Sequence, residues 1–128
     1  MITEDYVSFE TAKLLKEKGF DWECLGTYST GDKELSISSE CPYSNDLNDD
    51  MFIATPTLQM AMKWLREVHN LVIQIEFIDY LEHGEVWLYS VLERRTIKRL
   101  TGRDEDFTEH SYEEACEAAI KYCLENLI

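Results

Sequence analysis

The stretch from Thr55 to Leu92, TPTLQMAMKWLREVHNLVIQIEFIDYLEHGEVWLYSVL, decides the fold. Its first half repeats apolar residues at helical spacing. Leu58, Ala61, Met62, Leu65 and Val68 recur every three or four positions, while Gln59, Lys63, Arg66 and Glu67 fall outside that stripe. Thr55 before Pro56 is a helix-start signal, since Thr caps free N–H groups and Pro loses nothing at the first helical position. Trp64 sits at the stripe's margin, and Asn70 stops the helix. From Leu71 the period changes to two: Leu71, Ile73, Ile75 and Phe77 face one way, Gln74 and Glu76 the other. Leu81 to Glu85 supplies a turn in which Gly84 is free to take positive φ. Val86 to Leu92 returns as a strand apolar on both faces, the mark of a central position.

Outward from this core the flanks read as follows. Ser8 caps a short helix with Phe9, Ala12 and Leu15 on its apolar side, and Gly19-Phe20 ends it, the Phe folding back onto Leu15. Two strands at 23–29 and 33–38 flank the turn Ser29-Thr30-Gly31-Asp32 and form a less apolar hairpin. Met51 to Ala54 leads the chain back into the core. Ser111-x-x-Glu114 is a capping box that opens a last helix, with Tyr112, Ala115, Cys116, Ala119, Ile120, Cys123 and Leu127 along one side. The expectation is a single α+β domain over residues 1–128, order α-β-β-α-β-β-α, with an antiparallel sheet and helices mainly on one face. Its core comprises Leu58, Ala61, Met62, Leu65, Val68, Ile73, Ile75, Phe77, Leu88, Ala119 and Cys123.

Composition narrows the function. Twenty-six acidic residues against 12 basic ones leave a net charge of −14 in 128 residues. Such a field repels phosphate, so direct nucleic-acid or anionic-membrane binding is not expected, and a basic partner is favoured. No run is apolar enough to span a bilayer and the N-terminus lacks signal-peptide features, so a cytoplasmic setting is expected. The four cysteines contain no C-x-x-C. Cys116 and Cys123 stand two helical turns apart, about 10 Å, too far for a disulfide. His69, His83 and His110 show no ligand spacing to any cysteine, so free thiols and no metal are expected.

Three local features invite a functional reading. Asp46-x-Asn48-x-Asp50 matches the start of a calcium loop, but Met51 stands where Gly is needed and Thr57 where the bidentate Glu belongs. Residues 93–103 (ERRTIKRLTGR) gather five of the 12 basic residues. Arg94, Arg95, Lys98 and Arg99 form a candidate anion site there, weighed against a solvated edge turn whose cations answer nearby carboxylates. Asp104-Glu105-Asp106 follows at once and blunts it. Glu76 and Glu85, placed across the hairpin, are the one carboxylate pair to weigh for acid–base work, and solvated strand residues are the simpler reading. His69 reads as a C-terminal helix cap. No nucleophile elbow, Walker loop or dinucleotide glycine pattern is present, so no enzyme and no cofactor is expected.

Three segments carry a family resemblance: VSFETAKLLKEKGF at 7–20, TPTLQMAMKWLREVHN at 55–70 and HSYEEACEAAIKYCLENLI at 110–128. Together they resemble a group of small proteins from gut bacteria and the phages and mobile elements they carry. In that group a Ser-Phe-Glu-Thr-Ala helix, a helix opening Pro-Thr and carrying Lys-Trp-Leu-Arg-Glu, and a Ser-Tyr-Glu-Glu-Ala helix recur in this order. They correspond here to Ser8–Ala12, Pro56–Glu67 and Ser111–Ala115. The resemblance implies no activity and no catalytic residue. The function expected first is therefore a non-enzymatic module that binds another protein, such as a phage or mobile-element accessory factor, with Trp64, Trp87 and Tyr89 as contact aromatics. Alternatives are an acidic mimic of nucleic acid that blocks a DNA-binding protein, and an anion-binding domain or enzyme using Arg94 to Arg103. Either a monomer or a homodimer is compatible with the sequence.

Overall fold

The computed structural model describes residues 5–47, 49–80, 84–101 and 108–128. The order is α1 (Phe9–Glu17), β1 (Gly26–Ser29), β2 (Leu35–Ile37), a 3-10 turn at Asn45–Leu47, β3 (Phe52–Thr55), α2 (Leu58–Val68), β4 (Leu71–Tyr80), β5 (Gly84–Glu93), β6 (Arg99–Thr101), β7 (Thr108–Glu109) and α3 (Tyr112–Asn126). The chain is α+β and its strand pairs are antiparallel. The strands form two sheets, β2-β1-β3 and β4-β5-β6 with β7 also on β5. Contacts divide the chain into two compact units that meet in sequence at Ala61 and Met62, inside α2.

In the first unit α1 begins where Ser8 Oγ accepts from the Thr11 N–H at 3.3 Å. It ends in a Schellman turn: Phe20 N–H donates to the Leu15 carbonyl and Gly19 N–H to that of Lys16, with Gly19 at φ 91°. Leu15 and Phe20 are buried, as the sequence leads one to expect. The 29–34 turn closes β1 on β2, with Lys33 at φ 59°. β3 then pairs with the other edge of β1, Gly26 opposite Thr55. Space is tight at that point. A Cβ on Gly26 would stand 2.8 Å from both the Thr55 carbonyl oxygen and the Tyr6 ring, which is why a residue without a side chain is needed there.

The start of α2 departs from the expectation. Thr55 belongs to β3, is buried, and turns its hydroxyl to the Ile53 carbonyl. Thr57 is the cap, its Oγ1 accepting from Met60 N–H at 3.2 Å. The cause is Pro56, which disfavours helical backbone in the residue before it and so keeps Thr55 extended. Asp5 and Pro56 carbonyls accept the N–H groups of Leu58 and Val7, tying the chain start to this corner.

In the second unit β4 and β5 pair along their whole length, from Leu71 opposite Glu93 to Tyr80 opposite Gly84. Asn70 at φ 58° turns the chain from helix into strand, and Gly84 has φ 79°. Residues 81–83 of the expected turn, His83 among them, lie outside the described residues. β5 is central, flanked by β4 on one edge and by β6 and β7 on the other, as a strand apolar on both faces requires. The helix α3 packs over β4 and β5. Trp87 meets Tyr112 and Tyr89 meets Tyr122, so the helix covers the face that also bears Ile73, Ile75 and Val91. Ser111 caps α3 through the Glu114 N–H, and the Glu114 carboxylate reaches back to the His110 N–H. Ala115, Cys116, Ala119, Ile120, Cys123 and Leu124 are buried along it.

Core depth needs four corrections. Leu58, Ala61, Met62, Leu65, Leu88, Ala119 and Cys123 are buried as expected. Val68 and Phe77, however, are each 49% exposed, and Ile73 and Ile75 are half-buried. Phe77, Ile75 and Ile73 lie on β4, an edge strand with a neighbour on one side only. Val68 is the last helical residue, where the stripe runs out.

Candidate interaction surface

The residues singled out from the sequence do not converge. Trp64 is 2% exposed and Tyr89 6%, so neither is a surface contact. Trp64 lies about 60° around the helix from Ala61, which widens the apolar arc enough to take its ring inside. There its ring meets His69 edge to face, centroids 4.7 Å apart. Burial, with the charges of Glu109 and other neighbours behind it, pushes the Tyr89 phenol up to about 12. Trp87 alone keeps partial exposure, between a tilted Phe77 ring at 4.9 Å and an edge-on Tyr112 ring at 5.7 Å.

His69 is not a charged helix cap. Its Nε2 is buried without a hydrogen-bond partner among the described residues, as is Ser90 Oγ. Desolvation lowers the imidazole pKa from its ordinary 6.5, so the neutral ring is the folded form at neutral pH. The expected Glu76–Glu85 pair does not form across the strands, because Glu76 stands opposite Leu88 and Glu85 opposite Asp79.

The basic run is a built hairpin loop between β5 and β6. One Glu93 carboxylate oxygen accepts from the N–H groups of Arg95 and Thr96 and from the Thr96 hydroxyl, at 2.7–3.1 Å. Those bonds hold the Glu93 carboxyl below its ordinary range. Ile97 occupies the left-handed region at φ 58° and donates its N–H to the Glu93 carbonyl. Arg94 folds back on α2, to the Glu67 carboxylate and the Arg66 carbonyl. Arg95, Lys98 and Arg99 point the loop's charge outward, and all three are exposed around an Ile97 that is 75% exposed. Arg103 and the acidic triplet 104–106 lie outside the described residues. So does Asn48 of the calcium-like loop. Among the described residues no group of three or more His, Cys, Asp or Glu is placed to hold a metal ion.

A surface the sequence did not single out lies on the first sheet. In this unit the aromatic face of β1 is closed by Tyr28, whose ring meets Phe9 of α1 and whose hydroxyl donates to the Val7 carbonyl. The opposite face stays open. A depression of about 260 Å³ there is lined by Leu25, Thr27, Ser36, Tyr43 and Phe52, among others, and Ile37, whose register with Gly26 turns it toward the Tyr28 side, borders it at the β2 edge. Leu25 is 44% exposed, Ile37 60% and Phe52 39%. Its floor is rigid. Tyr43 bridges to Cys24 through both backbone groups and sends its hydroxyl to the Phe52 carbonyl. Asn45 clamps the loop behind it, donating to the Phe20 carbonyl and accepting from Ala54 N–H, both at 3.0 Å. A hint of this surface was present in sequence. Leu25, Leu35, Ile37 and Phe52 are apolar in a segment where residues 21–50 carry eight acidic side chains and Lys33 as their single basic one.

No family model, curated protein or solved structure matches this chain. Among the described residues no helix is long and apolar enough to cross a membrane.

Proposed function

We propose that this chain is a non-enzymatic protein-interaction module whose working surface is the open face of the first sheet. The observation that carries the reading is the half-exposed set Leu25, Ile37 and Phe52 around one depression. Apolar side chains grouped on a rigid surface and rimmed by polar groups are the usual mark of a docking site. The hydroxyls of Thr27, Ser36 and Ser38 in the same depression supply directional contacts, and the surrounding carboxylates favour a basic partner. The resemblance of the three helical segments to proteins of gut bacteria and their mobile elements supports an accessory role there.

The test is a pulldown from such a host at two salt concentrations, using the wild-type chain and Phe52→Ser. A discrete partner held by the wild type and lost with Phe52→Ser is the expected result. Retention that ignores Phe52 but collapses with salt would replace this reading with the acidic-mimic one, in which carboxylates alone make the contact.

A further inference from the structure

We infer that the open face of one copy receives the basic loop tip of a second copy, Ile97 entering the depression beside Phe52 while Arg95 and Lys98 meet the carboxylates around it. This inference rests on the reading of that face as an interaction surface, and it names the occupant.

Two surfaces of opposite chemistry are exposed on every copy. The receiving face has apolar walls from Leu25 and Phe52, with Ile37 at its β2 border, and cross-strand register puts Glu34 beside Ser29, in the row that ends at Phe52. Exposed carboxylates at Glu23 and Glu40 flank the lining residues Leu25 and Cys41 in sequence. The tip is the complement: one exposed aliphatic side chain among exposed cations. It is also pre-shaped, since the Glu93 carboxylate fixes residues 95 and 96 and the Thr96 hydroxyl accepts the Lys98 N–H. A tip held in one conformation loses little freedom on docking. Ile97 in the left-handed region adds weight, because a β-branched residue there is strained and a hydrophobic residue at such exposure gains nothing from solvent.

The overall charge of −14 opposes association of two copies at low salt. Near physiological ionic strength the screening length is about 8 Å, which damps repulsion between whole bodies more than attraction at contact. The contact is a small one, so it should be weak, with a dissociation constant of roughly 10–1,000 µM. Tip and face are different surfaces, so the contact is head-to-tail and each copy offers one of each.

Sedimentation velocity on the full chain tests this, with Ile97→Asp to break the tip and Phe52→Asp to break the face. Both positions are exposed, and matching melting curves confirm that the variants are folded. The wild type should associate reversibly as concentration rises, and each variant alone should stay monomeric. An equimolar mixture of the two variants should form a dimer and nothing larger, because one intact tip and one intact face remain. Lys98→Glu should weaken wild-type association about tenfold. A wild type that stays monomeric up to about 1 mM at physiological salt, or a variant mixture that stays monomeric, overturns the inference. If the wild type is monomeric yet a host partner is still lost with Phe52→Ser, the docking surface stands and only its assignment to a second copy fails.

Discussion

Arg94 reaches back from the β5–β6 loop to Glu67 at the end of α2: its Nη1 stands 3.2 Å from Glu67 Oε2 and 3.2 Å from the Arg66 carbonyl oxygen. One cation thereby answers both a carboxylate and the negative end of a helix. The guanidinium is nevertheless about half exposed, and exposed pairs contribute little. Arg94→Ala should lower stability in urea unfolding by no more than ~1 kcal/mol. A loss of several kcal/mol would mean that the loop depends on this contact far more than its exposure allows.

Asn45 should matter more, although its loop looks solvated in sequence. Its amide serves the Phe20 carbonyl and the N–H of fully buried Ala54 at once. Asn45→Ala removes a hydrogen bond from each, which should cost roughly 1–3 kcal/mol. Asn45→Asp keeps the acceptor for Ala54 and loses the donor to Phe20, so it should fall between. Equal stability of all three proteins in urea would show that the clamp is not formed.

Acid should find His69 before it finds the carboxylates. Its folded pKa lies below the unfolded value, so the unfolded chain binds the proton first. The contribution is fully present above about 6.5, the ordinary imidazole value, and is lost as pH falls through the lowered folded pKa. In His69→Phe, which keeps a ring against Trp64, the stability-versus-pH curve should be flatter in that window. Parallel curves for the two proteins would show that the ring titrates no differently in the folded state.

The thiols should separate cleanly by reactivity. Cys41 is exposed while Cys24, Cys116 and Cys123 are buried, and burial pushes Cys24 and Cys123 up to about 12. Thiolate, not thiol, is the attacking form. One cysteine should therefore label rapidly with iodoacetamide in the native protein, and peptide mass spectrometry should place it at Cys41. The other three should react only on unfolding. Fast native labelling at Cys123 would mean that α3 opens readily.

Much of this fold was legible because it is written in local rules. Ser8 and Ser111 announce helix starts by their own oxygens, Gly19 a helix end by its lack of Cβ, and residues 58–65 and 71–77 their elements by period alone. Those rules act within a few residues, so no knowledge of distant partners is needed. Depth is different. Trp64 against Phe77, or Leu65 against Val68, cannot be ranked by hydrophobicity, since which one is covered depends on what packs over it. Thr55 lost the capping role to Thr57 because Pro56 keeps it extended, which leaves it free to pair with Gly26 from a distant part of the chain. The open face needed the same long-range information: Leu25, Ile37, Tyr43 and Phe52 come together only when β1 takes β2 on one edge and β3 on the other. Sequence by itself determined the class, the three helices and the two hairpins, through short-range sterics and hydrogen bonding. Tertiary structure alone decided which apolar side chains water still reaches, because exposure is a property of neighbours that the local chain does not contain.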